Sequence, residues 1–161
     1  MTNDSTPQIP LDSTFVSVLL IAHGSRRAEA NEDLVKLAMQ ISEQGTYRSV
    51  QVSYLELATP TILEGGRICA SEGATCVLML PYFLSAGVHV ANDLEEVRQQ
   101  LVNEFPNVGF TLCQHLGLHP LMTEIVLDRL NEGHSSHDPD SNDSTIRTVP
   151  SEKSSPVRSE I

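Results

Sequence analysis

Apolar and polar residues alternate along this chain with two different periods. Four short runs are rich in apolar residues, and the first, 15–22, is almost continuously apolar, which is typical of a strand that is covered on both faces of a sheet. After each run, apolar residues recur every three or four positions, which indicates an amphipathic helix. The predicted strands are 15–22, 50–57, 76–83 and 108–113, and the predicted helices are 29–44, a segment opening at 59–60, 88–105 and 119–130.

Strands that alternate with helices in this way predict an α/β fold with right-handed crossovers. We expect a flavodoxin-like, four-stranded parallel sheet with helices on both faces and the strand order 2-1-3-4. In the second helix, Thr59 is expected as the N-cap, with Pro60 in the first turn. The domain is predicted over residues 14–132, between a disordered segment 1–13 and a disordered, acidic tail rich in Ser, Asp and Pro at 133–161.

The bulk composition argues against several classes of protein. A formal net charge of -11 disfavours nucleic acid as a partner, because such binding depends on clustered Lys and Arg, whereas an acidic body suits a metal cation. No apolar run approaches the ~20 residues that cross a bilayer, and the polar start lacks the basic residues of a targeting signal. We expect a cytoplasmic protein without a membrane partner. Cys69, Cys76 and Cys113 are expected to be buried free thiols rather than a disulfide framework or a metal site.

Two histidines fall at turns where a strand passes into a helix. His23 follows the first predicted strand and His89 follows the third. In the expected strand order these strands are neighbours, so both imidazoles would reach the carboxyl edge of the sheet, where ligands usually bind. Imidazole binds divalent metals and accepts protons near neutral pH. Taken alone, His23 could equally be a turn residue that satisfies a nearby carbonyl.

Small and basic residues surround both histidines. Gly24 allows close backbone approach, and Ser25 can cap the helix that follows. Arg26 and Arg27 add two positive charges to the same mouth, unless they are simply a solvated surface pair. The run Ser85-Ala86-Gly87 is small enough to shape a pocket beside the second histidine.

Other polar side chains are weaker candidates. Glu56, in an apolar stretch at the end of the second strand, could be a metal or proton partner or could turn to solvent. Asp93 lies four residues after His89 on the same helical face, where it could orient the imidazole or merely favour the positive end of the helix. His115 and His119 could line the same rim, although a histidine before proline is more often a structural turn residue.

Four segments over about residues 15–130 form an ordered series. They are Ala22-His23-Gly24-Ser25-Arg26, Leu55-Glu56-Leu57-Ala58-Thr59-Pro60, Pro81-Tyr82-Phe83-Leu84 leading to Gly87-Val88-His89 and Asp93-Leu94, and Leu116-Gly117-Leu118-His119-Pro120. Together they resemble the small CbiX-type members of the class II tetrapyrrole chelatases, the sirohydrochlorin cobalt, iron and nickel chelatases. The resemblance implies a chelatase-like fold and a homodimer, because the short members resemble one half of a two-lobed enzyme.

The resemblance also implies an activity. It is the lyase-type, ATP-independent insertion of Fe²⁺ or Co²⁺, or of Ni²⁺, into sirohydrochlorin in siroheme or cobalamin biosynthesis. The metal would be a substrate, and no iron–sulfur cluster is expected because the cysteines of the plant-type versions are missing. His23 and His89 would bind the metal and, with Glu56 assisting, accept the pyrrole protons. The residues expected to bind the carboxylate-rich substrate are Ser25, Arg26, Arg27, Ser85 and Gly87.

Two other functions stay open. A metal carrier or tetrapyrrole-binding module would use the same histidines but would leave the uncatalysed insertion rate unchanged. A phosphoryl-transfer enzyme would lose phosphatase activity when His23 is replaced. That chemistry calls for an arginine directly before the His-Gly pair, and Ala22 occupies this position. The use of ATP is not indicated either, because the chain has no GxxxxGK[ST] phosphate-binding loop.

Overall fold

The computed structural model describes residues 15–135. Strands and helices alternate throughout, which confirms the predicted fold class. One compact unit ends at His119 and contains every strand, and the last helix belongs to a second unit that begins at Pro120. The elements are β1 (Val16–Ala22), α1 (Ala28–Glu43), β2 (Ser49–Tyr54), α2 (Ile62–Ser71), β3 (Cys76–Pro81), α3 (Val88–Glu104), β4 (Gly109–Leu112) and α4 (Leu121–Ser135).

The four strands form one parallel sheet in the order β2-β1-β3-β4, as predicted. β1 is central and pairs with a strand on each side. At its carboxyl end, Ala22 lies opposite Tyr54 of β2, and Ile21 lies opposite Pro81 of β3. The loops that follow β1, β2 and β3 therefore leave the sheet at the same edge.

Successive side chains of β1 enter two separate cores, because neighbouring residues of a strand point to opposite faces of the sheet. Leu19 and Ile21 belong to a cluster that is built with α2 and α3, whereas Val18 and Leu20 belong to a cluster that is built with α1. Both faces of the sheet are thus covered by helices, as the continuous apolar pattern predicts.

Two buried serines lie within this apolar sheet. The Ser17 and Ser49 hydroxyls are 2.9 Å apart across β1 and β2, and the Ser53 hydroxyl donates to the carbonyl oxygen of Leu20 at 3.3 Å. Within residues 15–135 no buried side-chain nitrogen or oxygen lacks a hydrogen-bond partner. The buried polar side chains of the sheet, Ser17 and Ser53, are therefore satisfied by hydrogen bonds.

The second helix begins later than the sequence pattern indicates. Its N-cap is Thr61, not Thr59, so that prediction is wrong. The Thr61 hydroxyl accepts from the backbone N–H of Glu64 at 3.3 Å, and the Glu64 carboxylate accepts from the N–H of Thr61 at 2.8 Å. This reciprocal capping box satisfies two free amides of the first turn, whereas a cap at Thr59 would satisfy only one.

Element boundaries differ elsewhere by a few residues. β2 ends at Tyr54 rather than at Leu57, because Leu57 has a φ of +63° and turns the chain out of the sheet. α4 continues to Ser135, so residues 133–135, expected in the disordered tail, are helical. The predictions for 1–13 and 136–161 lie outside the described residues.

Two further expectations concern the thiols and the membrane. All three cysteines are free, as predicted, and Cys69 and Cys76 are buried, whereas Cys113, which was also expected to be buried, is only half-buried. Within the described part of the chain, no helix combines the length and hydropathy that a bilayer crossing requires.

Candidate metal and substrate site

Both predicted histidines lie at the carboxyl edge of the sheet. His23 directly follows β1, and His89 lies in the first turn of α3, in the connection that follows β3. Because β1 and β3 are neighbours in the sheet, the structure brings the two segments to adjacent positions of this edge. Both side chains are exposed and therefore open to an external ligand.

The backbone around His23 is held by β2 beyond the end of the regular ladder. The N–H of Leu55 donates to the carbonyl oxygen of Ala22 at 2.9 Å, and the N–H of Glu56 donates to that of His23 at 3.0 Å. Glu56 is therefore next to His23 through the main chain. Its own side chain is exposed, so the carboxylate faces solvent at the same edge.

Gly24 makes this close approach possible. Its φ is +91°, a conformation that side chains with a Cβ rarely adopt. A Cβ at this position would lie 2.0 Å from the carbonyl oxygen of Glu56 and 3.1 Å from Cβ of Tyr54. Any other residue would push apart the two segments that carry His23 and Glu56.

An aromatic residue that the sequence analysis did not select as a site residue contacts His23. The Phe83 ring lies against the imidazole with ring centroids 4.5 Å apart and a 32° angle between the ring planes. The β1–β3 register accounts for this contact, because Ile21 lies opposite Pro81 and two further residues bring His23 opposite Phe83. The sequence carries no signal for this contact, because neither segment by itself specifies the register in which β1 pairs with β3.

Ser25 does not cap α1 directly. The N-cap residue is Arg27, and its side chain makes no capping hydrogen bond. The Ser25 hydroxyl instead accepts from the backbone N–H of Arg27 at 3.1 Å, and the Asn31 amide donates to the Ser25 carbonyl oxygen at 2.9 Å. These contacts fix the turn that carries the two arginines.

Arg26 and Arg27 differ from the other cations of residues 15–135. Both are exposed, and the side chain of neither makes an ion pair or a hydrogen bond within that range. Each remaining described cation has a partner for its charged group. These pairs are Lys36 with Glu32 and Asp33, Arg48 with the Glu72 carbonyl, Arg67 with Glu104, Arg98 with Glu95, and Arg129 with Glu132.

The second histidine has a simpler setting. Gly87 is the N-cap of α3, Ser85 is exposed in the preceding loop, and His89 follows in the first turn. Asp93 forms no hydrogen bond or ion pair with His89 within the described residues, so the orienting contact considered from the sequence is not made. His115 is exposed in the loop after β4, at the same edge of the sheet.

The thiols are unsuited to this chemistry. Burial, reinforced by the Glu72 carboxylate, raises the pKa of the Cys69 thiol to about 12, and burial also raises the pKa of Cys76 and Cys113. A thiolate is the form that binds metals and attacks carbon. In the metal-free protein these thiols are therefore protonated, and they are less accessible than the exposed imidazoles.

A concavity of about 600 Å³ lies away from both histidines, beside β2 and α2. Its two charged side chains are already engaged, since Glu64 closes the capping box and Arg67 pairs with Glu104 through two nitrogens. It is lined by Gln51, Thr59, Pro60, Glu64, Arg67 and Ile68, none of which is a predicted site residue.

Comparisons with known proteins agree with this fold. The CbiX family model matches residues 17–133, and the chain belongs to the CbiX family. The chain is 33% identical over 126 residues to a sirohydrochlorin cobaltochelatase of Priestia megaterium, over 78% of this chain and 40% of that protein. It is 31% identical over 113 residues to the chloroplastic sirohydrochlorin ferrochelatase of Arabidopsis thaliana, over 70% of this chain and 50% of that protein.

The fold has a close counterpart among solved structures. A CbiX protein from Marinobacter aquaeolei VT8 superposes with a TM-score of 0.65 at 26% identity, over 75% of this chain and 98% of that one. The chain thus spans about half the length of the two curated relatives but nearly the whole of this shorter protein. The family and fold implied by the sequence resemblance are confirmed.

Proposed function

We propose that this protein inserts a divalent metal, Fe²⁺ or Co²⁺, into sirohydrochlorin, with His23 and His89 as its working residues. The observation that carries the proposal is the position of both exposed imidazoles at the carboxyl edge of neighbouring strands in a chain of the CbiX family. Relatives of the chain are sirohydrochlorin cobaltochelatases and ferrochelatases, which supports both the macrocycle and the choice of metals.

The chemistry of insertion suits imidazole. The ion must lose its water, and the macrocycle must give up two pyrrole protons for each metal that enters. Imidazole is a borderline ligand for Co²⁺, Ni²⁺ and Fe²⁺, so it binds the ion and also releases it. Its ordinary pKa of about 6.5 lets it accept a pyrrole proton near neutral pH. We assign Glu56, beside His23 at the same edge, to the onward acceptance of these protons.

The substrate would be bound by charge and by apolar contact. Arg26 and Arg27, whose side chains are unpaired within residues 15–135, can each hold a substrate carboxylate, and Ser25, Ser85 and Gly87 supply hydroxyl and backbone donors. Large apolar side chains are exposed at this edge, in the loops and at the start of α3, which suits the flat face of a tetrapyrrole. They are Leu57, Tyr82, Leu84 and Val88, exposed by 52%, 44%, 64% and 75%.

We further propose that the chain acts as a homodimer in the cytoplasm. The stretch that it matches covers 40% and 50% of two relatives, so a second copy would supply the other lobe. The apolar side chains of α4 are about half exposed and offer a surface for that copy; they are Leu121, Ile125, Val126, Leu127 and Leu130. Three free cysteines fit a reducing compartment. Sedimentation as a 17.6 kDa monomer would contradict the dimer.

The decisive assay follows the absorbance of sirohydrochlorin with Co²⁺, and anaerobically with Fe²⁺. Wild type is compared with His23→Ala, His89→Ala and the matched control His134→Ala, which removes an imidazole from the last turn of α4. We expect accelerated insertion that is lost in the first two variants and kept in the control. Stoichiometric metal binding without acceleration would instead establish the metal carrier.

A further inference from the structure

The side chain of Phe83 is firmly held. It is only 4% exposed and belongs to the same core cluster as Ile21 and Met79. Its backbone is also fixed, because the N–H of Gly117 donates to the Phe83 carbonyl oxygen at 3.3 Å and the N–H of the preceding Tyr82 donates to that of Ile21 at 2.7 Å. The ring that touches His23 is therefore a rigid part of the domain rather than a surface group.

The imidazole of His23 lacks such restraints of its own. It is exposed, and no hydrogen bond to its ring is formed within residues 15–135. Metal-binding histidines usually owe their orientation to a hydrogen bond on the second ring nitrogen. Here the contact at 4.5 Å between the two ring centroids restrains the ring in place of that hydrogen bond.

We propose that Phe83 is a positioning residue for His23, which holds the imidazole so that its nitrogens project from the carboxyl edge of the sheet. The contact lies on a face of the imidazole, whereas metal binding and proton transfer occur in the ring plane at the nitrogens. Phe83 therefore restrains the ring without occupying the atoms that react. This inference rests on the proposed role of His23 as a metal ligand.

The energetic consequence is a loss of entropy that occurs before the metal arrives. An imidazole that is free to rotate must be immobilised when it binds a metal, and that ordering weakens binding. A stacked aromatic pair stabilises one orientation beyond the area it buries, which corresponds to about a two- to tenfold effect on affinity. Removing the ring should therefore weaken metal binding and slow insertion by this factor.

The chain offers a matched control for the structural effect of losing a phenylalanine. Phe110 lies in the same core cluster, is 5% exposed, and has its ring against Phe105 at 6.4 Å between centroids. Phe83→Leu and Phe110→Leu remove the same atoms from the same core. Only the first removes the ring that contacts His23.

The test compares these two variants with wild type by Co²⁺ titration, by kcat and KM for insertion, and by the NMR shifts of the His23 ring protons, assigned with His23→Ala. We expect about two- to tenfold weaker Co²⁺ binding and lower kcat/KM in Phe83→Leu, with loss of the aromatic ring-current shift. Phe110→Leu should match wild type in all three. If Phe83→Leu does not fold, Phe83→Met gives the same comparison with an unbranched apolar side chain.

Equal Co²⁺ affinity in the two leucine variants would overturn the proposal, as would ring-proton shifts that stay unchanged in Phe83→Leu. The failure of the proposed function is a separate result. A wild-type protein that binds Co²⁺ without inserting it would refute the chelatase, and the ratio of the two variants' Co²⁺ affinities would still decide the role of Phe83.

Discussion

The backbone N–H of Glu56 donates a hydrogen bond to the carbonyl oxygen of His23, 3.0 Å away. This contact lies past the ends of β1 and β2, where the chain has already left the ladder at Ala22 and Tyr54. It fixes the direction in which the turn after β1 departs, and with it the position of His23. Gly24, the next residue, permits the two main chains to come this close.

Replacing Gly24 by alanine should be severely destabilising. The new Cβ would meet the Glu56 carbonyl oxygen at 2.0 Å, and the φ of +91° is strained for any residue with a Cβ. We expect a loss of ~3–5 kcal/mol in the free energy of unfolding, as for the most damaging single substitutions. Urea unfolding followed by circular dichroism measures the loss.

Gly45→Ala is the control for this substitution. Gly45 also has a positive φ, +67°, but a Cβ there meets nothing within 4 Å. The change should therefore cost only the conformational strain, about 1 kcal/mol. Similar losses in the two variants would show that the clash with Glu56 is unimportant.

The capping box of α2 should make the free energy of unfolding depend on pH in the acidic range. Hydrogen bonds from the N–H and the hydroxyl of Thr61, with the nearby Arg67, hold the pKa of Glu64 below its ordinary value of 4.5. A carboxyl whose pKa is lowered by folding stabilises the native state above its unfolded pKa, and this contribution is lost as the pH falls through the folded pKa. We expect the melting temperature of wild type to fall below about pH 4.5 partly for this reason.

Glu64→Gln isolates that contribution. Glutamine can still complete a capping box but does not titrate, so the variant should lose less stability than wild type between about pH 6 and about pH 3. Calorimetry at several pH values gives both curves. Parallel curves for the two proteins would contradict the prediction.

The Cys69 thiol should be inert in the native protein. Its pKa of about 12 leaves roughly one thiolate in ten thousand near pH 8, and its side chain is fully buried. Alkylation followed by peptide mass spectrometry should label Cys113 first and Cys69 only in denaturant. Equal labelling rates for these two thiols in the folded protein would show that the domain opens locally at α2.

The arginines after β1 should determine substrate affinity. The double variant Arg26→Gln/Arg27→Gln should raise the KM for sirohydrochlorin by about tenfold at low salt, with little change in kcat, because it removes two charge-assisted contacts. The effect should shrink as salt screens the remaining charges. Arg129→Gln, which removes an already paired cation, is the control. An unchanged KM in the double variant would mean that the substrate carboxylates bind elsewhere.

Much of the fold follows from local pattern, while the boundaries do not. The order of strands and helices agrees with the prediction, because the spacing of apolar residues that distinguishes a strand from a helix is contained within each segment. The end of β2 and the cap of α2 were misplaced because Leu57 adopts a positive φ and because Thr61 and Glu64 cap each other. At both boundaries several turn conformations are compatible with the local sequence, so the sequence pattern does not specify which one forms.

The candidate site divides in the same way. The sequence by itself determined that His23 and His89 follow predicted strands, because strand ends are marked by where the apolar run stops. Only the tertiary structure decided that Phe83 stacks on His23 and that Glu56 comes against Gly24. Those contacts join segments far apart in the chain, and they depend on the register in which β1 pairs with β2 and β3, which no single segment specifies.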